Sequence, residues 1–193
     1  MRDTFLPFAP PLIGEAEIEE VIDTLRSGWL TTGPKTRKFA DEFAVYTQAP
    51  AALTLSSCTA ALHLSLVALE IGPDDEVITT PLAFAASVNV IEHAGARPVL
   101  VDVEPDTLNI DPEKIEQAIT PNTKAIIAVH YAGHPVELDV IRDISRRHNL
   151  HLIEDAAHAI GAAWKGQPIG TADNPTCFSF YATKNLTTGE GGM

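Results

Sequence analysis

The 193 residues are 45% hydrophobic and 20% charged, a balance that suits a soluble globular chain with one large domain, or one and a fraction. With 13 basic and 26 acidic residues the formal net charge is -13, which disfavours nucleic acid and anionic membrane as partners but leaves room for a local anion site. Two cysteines, Cys58 and Cys177, offer no zinc-like spacing or disulfide framework, the N-terminus from Met1 to Pro7 lacks a signal-peptide run, and no apolar stretch could span a bilayer; a cytoplasmic protein is expected.

In chain order, Ile18, Val21, Ile22 and Leu25 recur at helical spacing and Gly28 follows as a stop signal. A second helix carries Phe39 and Phe43 on its buried face. From there the pattern changes to short strands alternating with helices. Residues 51–55 read as a buried strand, Ser56 to Thr59 as a tight polar turn, and 60–70 as an Ala- and Leu-rich helix. Strands are expected at 76–80, 97–103, 124–130, 150–154 and 177–180, and helices at 83–93 and 138–149. Asp111-Pro112-Glu113 opens a further helix, with an acidic N-cap and proline at its first position.

This alternation predicts an α/β chain: three layers, α/β/α, around a mostly parallel sheet. Residues 1–193 hold no repeat, low-complexity tract or linker, so they form one unit. The sequence stops just after Thr187-Thr188-Gly189-Glu190-Gly191-Gly192-Met193, which reads as a functional loop, and a fragment of a longer protein is expected.

In open α/β sheets ligands bind beyond the carboxyl ends of the strands, and three groups fall there. Ser56 to Ala60 joins a strand to a helix N-terminus, where small residues and free N–H groups can cradle a phosphate. Asp155 ends an apolar strand among alanines, where a carboxylate needs a cationic partner such as a protonated ring nitrogen. Lys184 follows Cys177-Phe178-Ser179-Phe180-Tyr181, where a lowered amine pKa would allow a Schiff base. Taken singly, the first and third read more readily as a plain N-cap and a surface lysine, and the second equally as an N-cap aspartate. Together they are what pyridoxal 5'-phosphate requires.

With these residues in place the sequence resembles the DegT/DnrJ/EryC1/StrS aminotransferases, which act on nucleotide-linked keto sugars. The resemblance runs along essentially the whole chain. It rests on Ser27-Gly28-Trp29-Leu30-Thr31-Thr32-Gly33-Pro34, Ser57 to Leu64, Asp75 to Thr79, Glu154 to Ala159, Phe178-Ser179-Phe180 and Lys184 to Gly192. It implies the large domain of a fold type I pyridoxal-phosphate enzyme, with the C-terminal small domain missing and a homodimer at full length. It implies further that Lys184 carries the cofactor and Asp155 meets the pyridine nitrogen. His158 would lie near the 3-hydroxyl, Cys58, Thr59 and Ser179 at the phosphate, and Phe84 on the ring. Trp29 and the threonines after it would lie near the substrate entrance. Cys58 stands where many members have glycine.

The implied reaction moves an amino group from an amino acid, glutamate, to a nucleotide-linked keto sugar. Dehydratase relatives have histidine in place of the lysine, which Lys184 argues against. A catalytically silent fragment that keeps only folding or dimerisation is the alternative from another class. No GxGxxG follows a strand and no GK[ST] is present, which removes the nicotinamide and P-loop readings. His130, His134, His148, His151 and His158 lack metal-ligand spacing, so all but His158 read as surface or satisfied loop residues.

Overall fold

The computed structural model describes residues 4–6, 10–171 and 173–193; of the stretch read for a leader, Met1, Arg2, Asp3 and Pro7 lie outside the described residues. Two helices come first, α1 (Glu15–Ser27) and α2 (Pro34–Thr47). Gly28 stops α1 in the left-handed conformation, φ 72°, which costs glycine little because it has no Cβ. Proline at the first position opens α2, and its Phe43 is buried with Phe39 half-buried beside it, as the sequence spacing predicts. The stripe of α1 meets no core: Ile18, Val21, Ile22 and Leu25 are all exposed.

Four more helices follow, α3 (Cys58–Ala68), α4 (Ala86–His93), α5 (Pro112–Ala118) and α6 (Leu138–His148). The strands are β1 (Glu76–Thr79), β2 (Arg97–Leu100), β3 (Thr123–Val129), β4 (His151–Asp155), the two halves of a small hairpin, β5 (Ala163–Trp164) and β6 (Gln167–Pro168), and β7 (Thr176–Cys177). Five of them form one parallel sheet in the order β2-β1-β3-β4-β7. Alternation along each strand divides the core into two layers. Ile78, Ile126, Ala128 and Leu152 pack with Phe43 of α2, Ile115 of α5 and Ile141 and Ile144 of α6. Val77, Ala125, Ile127 and Ile153 pack with Leu62 and Leu66 of α3 and Val90 and Ile91 of α4. The expected three-layer α/β/α architecture is the one observed.

Several expected boundaries move. Residues 51–55 form no strand: Leu53 is 70% exposed, and the only regular pairing is an antiparallel bridge from Leu55 to Gly192. A strand needs a neighbour along its length, and among the described residues 51–54 have no such ladder. The stretch 177–180 is regular only up to Cys177, because Ser179 turns to pair antiparallel with Gly192. The strand expected over 97–103 stops at Leu100, and Val103 pairs back onto Ile110. Ala83 to Ala85 lie outside α4, whose N-cap Ala85 has no side chain with which to cap a longer helix.

On β4, Glu154 and Asp155 face opposite layers. Glu154 is fully buried, accepting from His130 Nε2 (3.0 Å), Arg142 (3.1 Å) and Asn174 (3.1 Å). His130 Nδ1 accepts from the Val136 amide (3.2 Å), which puts the ring proton on Nε2 and makes His130 a donor to Glu154. Burial pushes the Glu154 carboxyl up, but the bonds from His130 and Asn174 and the Arg142 charge outweigh it and hold the group below its usual range. A carboxyl lowered by folding contributes stability above its unfolded value, and that contribution is lost as pH falls through the folded value. Glu154→Gln should therefore cost about 3 kcal/mol at pH 7, and the cost should shrink as pH falls below the usual glutamate range and wild type loses the same contribution; urea denaturation across pH checks both.

Candidate active site

The loops after β1, β3, β4 and β7 leave the sheet at one end, and the N-terminus of α3 arrives there too. Between them lies a cavity of about 680 Å³. All seven residues singled out by sequence line it: Cys58, Thr59, Phe84, Asp155, His158, Ser179 and Lys184. Trp29 is not part of that lining; its indole Nε1 donates to the Thr32 carbonyl (3.0 Å). A second groove of about 550 Å³ runs between residues 49–55 and 173–178; among its lining residues only Asp173 and Cys177 are ionisable, so it does not match the chemistry of the first.

Ser57 caps α3 by accepting from the Ala60 amide (3.1 Å), and the amides of the first turn, at Cys58 and Thr59, have no carbonyl one turn earlier to meet. Gly192 closes the far side of this turn. Its amide and carbonyl exchange bonds with Leu55 (2.9 Å each), and a Cβ on it would lie 2.2 Å from the Ser57 carbonyl carbon. Only glycine fits that approach. Ser179 bridges Gly192 from the other side.

Asp155 is 5% exposed at the cavity floor. Its Oδ1 accepts from the Ala157 amide (3.1 Å) and its Oδ2 from the Ser87 hydroxyl (2.6 Å). Cys58 Sγ lies 3.9 Å from Oδ1 and 3.4 Å from the Cys177 carbonyl. Burial, then the Asp155 charge, pushes the Cys58 thiol well above its usual range, and burial pushes Cys177 up to about 12. Both thiols stay protonated near neutrality, so neither is a nucleophile. Lys184 is half-buried, with its amide on the Tyr181 carbonyl (2.9 Å). Partial burial and the Lys184 charge lower the His158 pKa, with Asp155 opposing them. Its imidazole is accordingly neutral at pH 7. Phe84 stands at the open side, 78% exposed.

Two contributors are not singled out by the sequence: Ser87 holds Asp155 from 68 positions away and Tyr131 lines the wall after β3; Gly192, in the loop read as functional, seats the α3 turn. Only Gly192 carried a signal, as part of the Gly191-Gly192 pair. Among the described residues no group of three His, Cys, Asp or Glu could hold a metal, and His130, just after β3, is a buried loop histidine satisfied by Glu154 and the Val136 amide.

The model of the DegT/DnrJ/EryC1/StrS aminotransferase family matches residues 11–193. The chain belongs to this family. An uncharacterised protein of Methanocaldococcus jannaschii is 61% identical over the whole of this chain and 50% of its own length. The spore coat polysaccharide biosynthesis protein SpsC of Bacillus subtilis is 53% identical over 100% of this chain and 49% of its own. Among solved structures, a Streptococcus pneumoniae protein assigned as a sugar aminotransferase superposes in its PLP form with a TM-score of 0.91. It is 47% identical, covering 97% of this chain and 52% of its own. DesI, solved in the presence of its TDP-sugar product, superposes with a TM-score of 0.86 at 36% identity, covering 95% and 47%. The chain spans about half the length of the curated relatives it matches. The family depends on pyridoxal phosphate, and the S. pneumoniae neighbour is solved in both PLP and PMP forms.

Gly192→Ala should force the Ser57–Cys58 backbone away from the cavity. The expected outcome is a loss of about 1–3 kcal/mol in stability and about tenfold or more in pyridoxal phosphate affinity, read by thermal melting and cofactor titration.

Proposed function

We propose that the chain carries the cofactor site of an aminotransferase that moves an amino group from glutamate to a nucleotide-linked keto sugar. The observation that carries this reading is the meeting, in one cavity of about 680 Å³, of an amine, a buried carboxylate and a helix N-terminus drawn from separate loops. Pyridoxal phosphate asks for these three groups, and the free amides at the start of α3, whose turn Gly192 packs against, suit a phosphate there. The residues present therefore fit the group.

In this reading Lys184 Nζ would hold the cofactor. The Cys58 and Thr59 amides, with the Thr59 and Ser179 hydroxyls, bind the phosphate. Asp155 would keep a proton on the ring nitrogen, and His158, whose pKa burial lowers, would lie beside the 3-hydroxyl. Phe84 covers the ring face. When bound, the cofactor supplies a ring that accepts the electrons left on the donor's α-carbon. Lys184 Nζ would serve as the base that takes the proton from the donor's α-carbon and holds it on the amine.

The acceptor class draws on DesI, whose product is a TDP-sugar, and on the polysaccharide role in the name of SpsC. Residues 1–193 correspond to the N-terminal segment and most of the large domain, and the full-length protein works as a cytoplasmic homodimer. The second reading, a silent piece that keeps folding or dimerisation, draws on the exposed apolar stripe of α1.

The two readings separate on a single assay. Cofactor-loaded protein with nitrogen-labelled glutamate and a TDP-keto sugar should give labelled amino sugar by mass spectrometry, and Lys184→Ala should give none. Turnover retained by Lys184→Ala sinks the lysine assignment, and no transfer by wild type favours the silent piece.

A further inference from the structure

We infer that Ser87 is a positioning residue of this site, holding the Asp155 carboxylate in place and joining it to the segment that carries Phe84. The inference rests on reading the cavity as the pyridoxal phosphate site.

Ser87 is the second residue of α4 and is completely buried. A serine there is an unfavourable choice on local grounds. Alanine is a better helix former, and a buried hydroxyl costs free energy unless it finds a partner. Serine inside a helix commonly bonds back to a carbonyl one turn earlier, but this hydroxyl instead donates across the layer to Asp155 Oδ2 at 2.6 Å. That length is characteristic of a hydroxyl donating to a charged oxygen.

The effect is to complete a fixed carboxylate. Oδ1 is tied to the Ala157 amide within its own loop, and Oδ2 is tied to α4 on the neighbouring layer. Two anchors from different elements leave the carboxylate little rotational freedom before any ligand arrives. A carboxylate ordered in advance loses less entropy when it meets a ring nitrogen. Ser87 also acts through its backbone, since its amide donates to the Phe84 carbonyl (3.1 Å). One buried residue thereby links the acid at the end of β4 to the aromatic after β1, the two groups assigned to the edge and the face of one ring.

The test is a spectrophotometric titration with pyridoxal phosphate of wild type and the variants S87A, S87T, D155N and S87A/D155N, each shown by circular dichroism to be folded. S87A should bind about tenfold more weakly and S87T, which restores the hydroxyl, within about threefold of wild type. In the D155N background, S87A should cost less than about twofold, because the partner it positions is gone. A merely structural serine would cost the same in both backgrounds, and that result, or S87A binding like wild type, overturns the inference alone. A folded wild type that takes up no cofactor overturns the site reading and the inference with it.

Discussion

Two adjacent carboxylates, Glu154 and Asp155, end a strand buried on both faces, and the rest of the molecule is arranged around their needs. Successive strand residues point to opposite layers, so the two charges cannot share partners. Each would be costly if left alone in the interior. Glu154 draws His130, Arg142 and Asn174 together on the α6 side and locks the ends of β3 and β4. Asp155 draws Ser87 and the Ala157 amide on the α3 and α4 side. The satisfied pair behind the sheet holds the strand end, and the carboxylate in front is left facing a cavity.

The remaining parts of the site depend on a second constraint, the close approach of backbones. Gly192 sits where no side chain fits, between Leu55, Ser179 and the Ser57–Cys58 peptide. That contact brings the start of α3 and the loop bearing Lys184 to the same cavity as Asp155. Chemistry at this site is thus a consequence of packing: the amine, the acid and the helix N-terminus lie on segments far apart in sequence, brought to one edge by parallel strands that all end there.

Much of this was legible in the sequence because it is local. Gly28 and Asp111-Pro112 mark helix ends by their own backbone and capping preferences, and Leu152-Ile153 followed by Asp155 marks a strand end by polarity. The residues and family motifs of the sequence singled out seven residues that line the cavity. What was not legible depends on distant partners. Residues 51–55 have strand composition, but among the described residues only Gly192 pairs with them, at Leu55, so no strand forms there. Ser87 resembles any small helix residue until Asp155, 68 positions on, is placed against it. That His130 is a satisfied loop histidine was expected, but its partners, Glu154 and the Val136 amide, are assembled only by the sheet and the turn after β3.

The most direct measurement is borohydride reduction of the chain after incubation with pyridoxal phosphate, followed by peptide mapping. The account predicts a pyridoxyl label on Lys184 and on no other lysine. A label spread over surface lysines, or none on a chain shown to be folded, would contradict the claim that this cavity is built to hold the cofactor through Lys184.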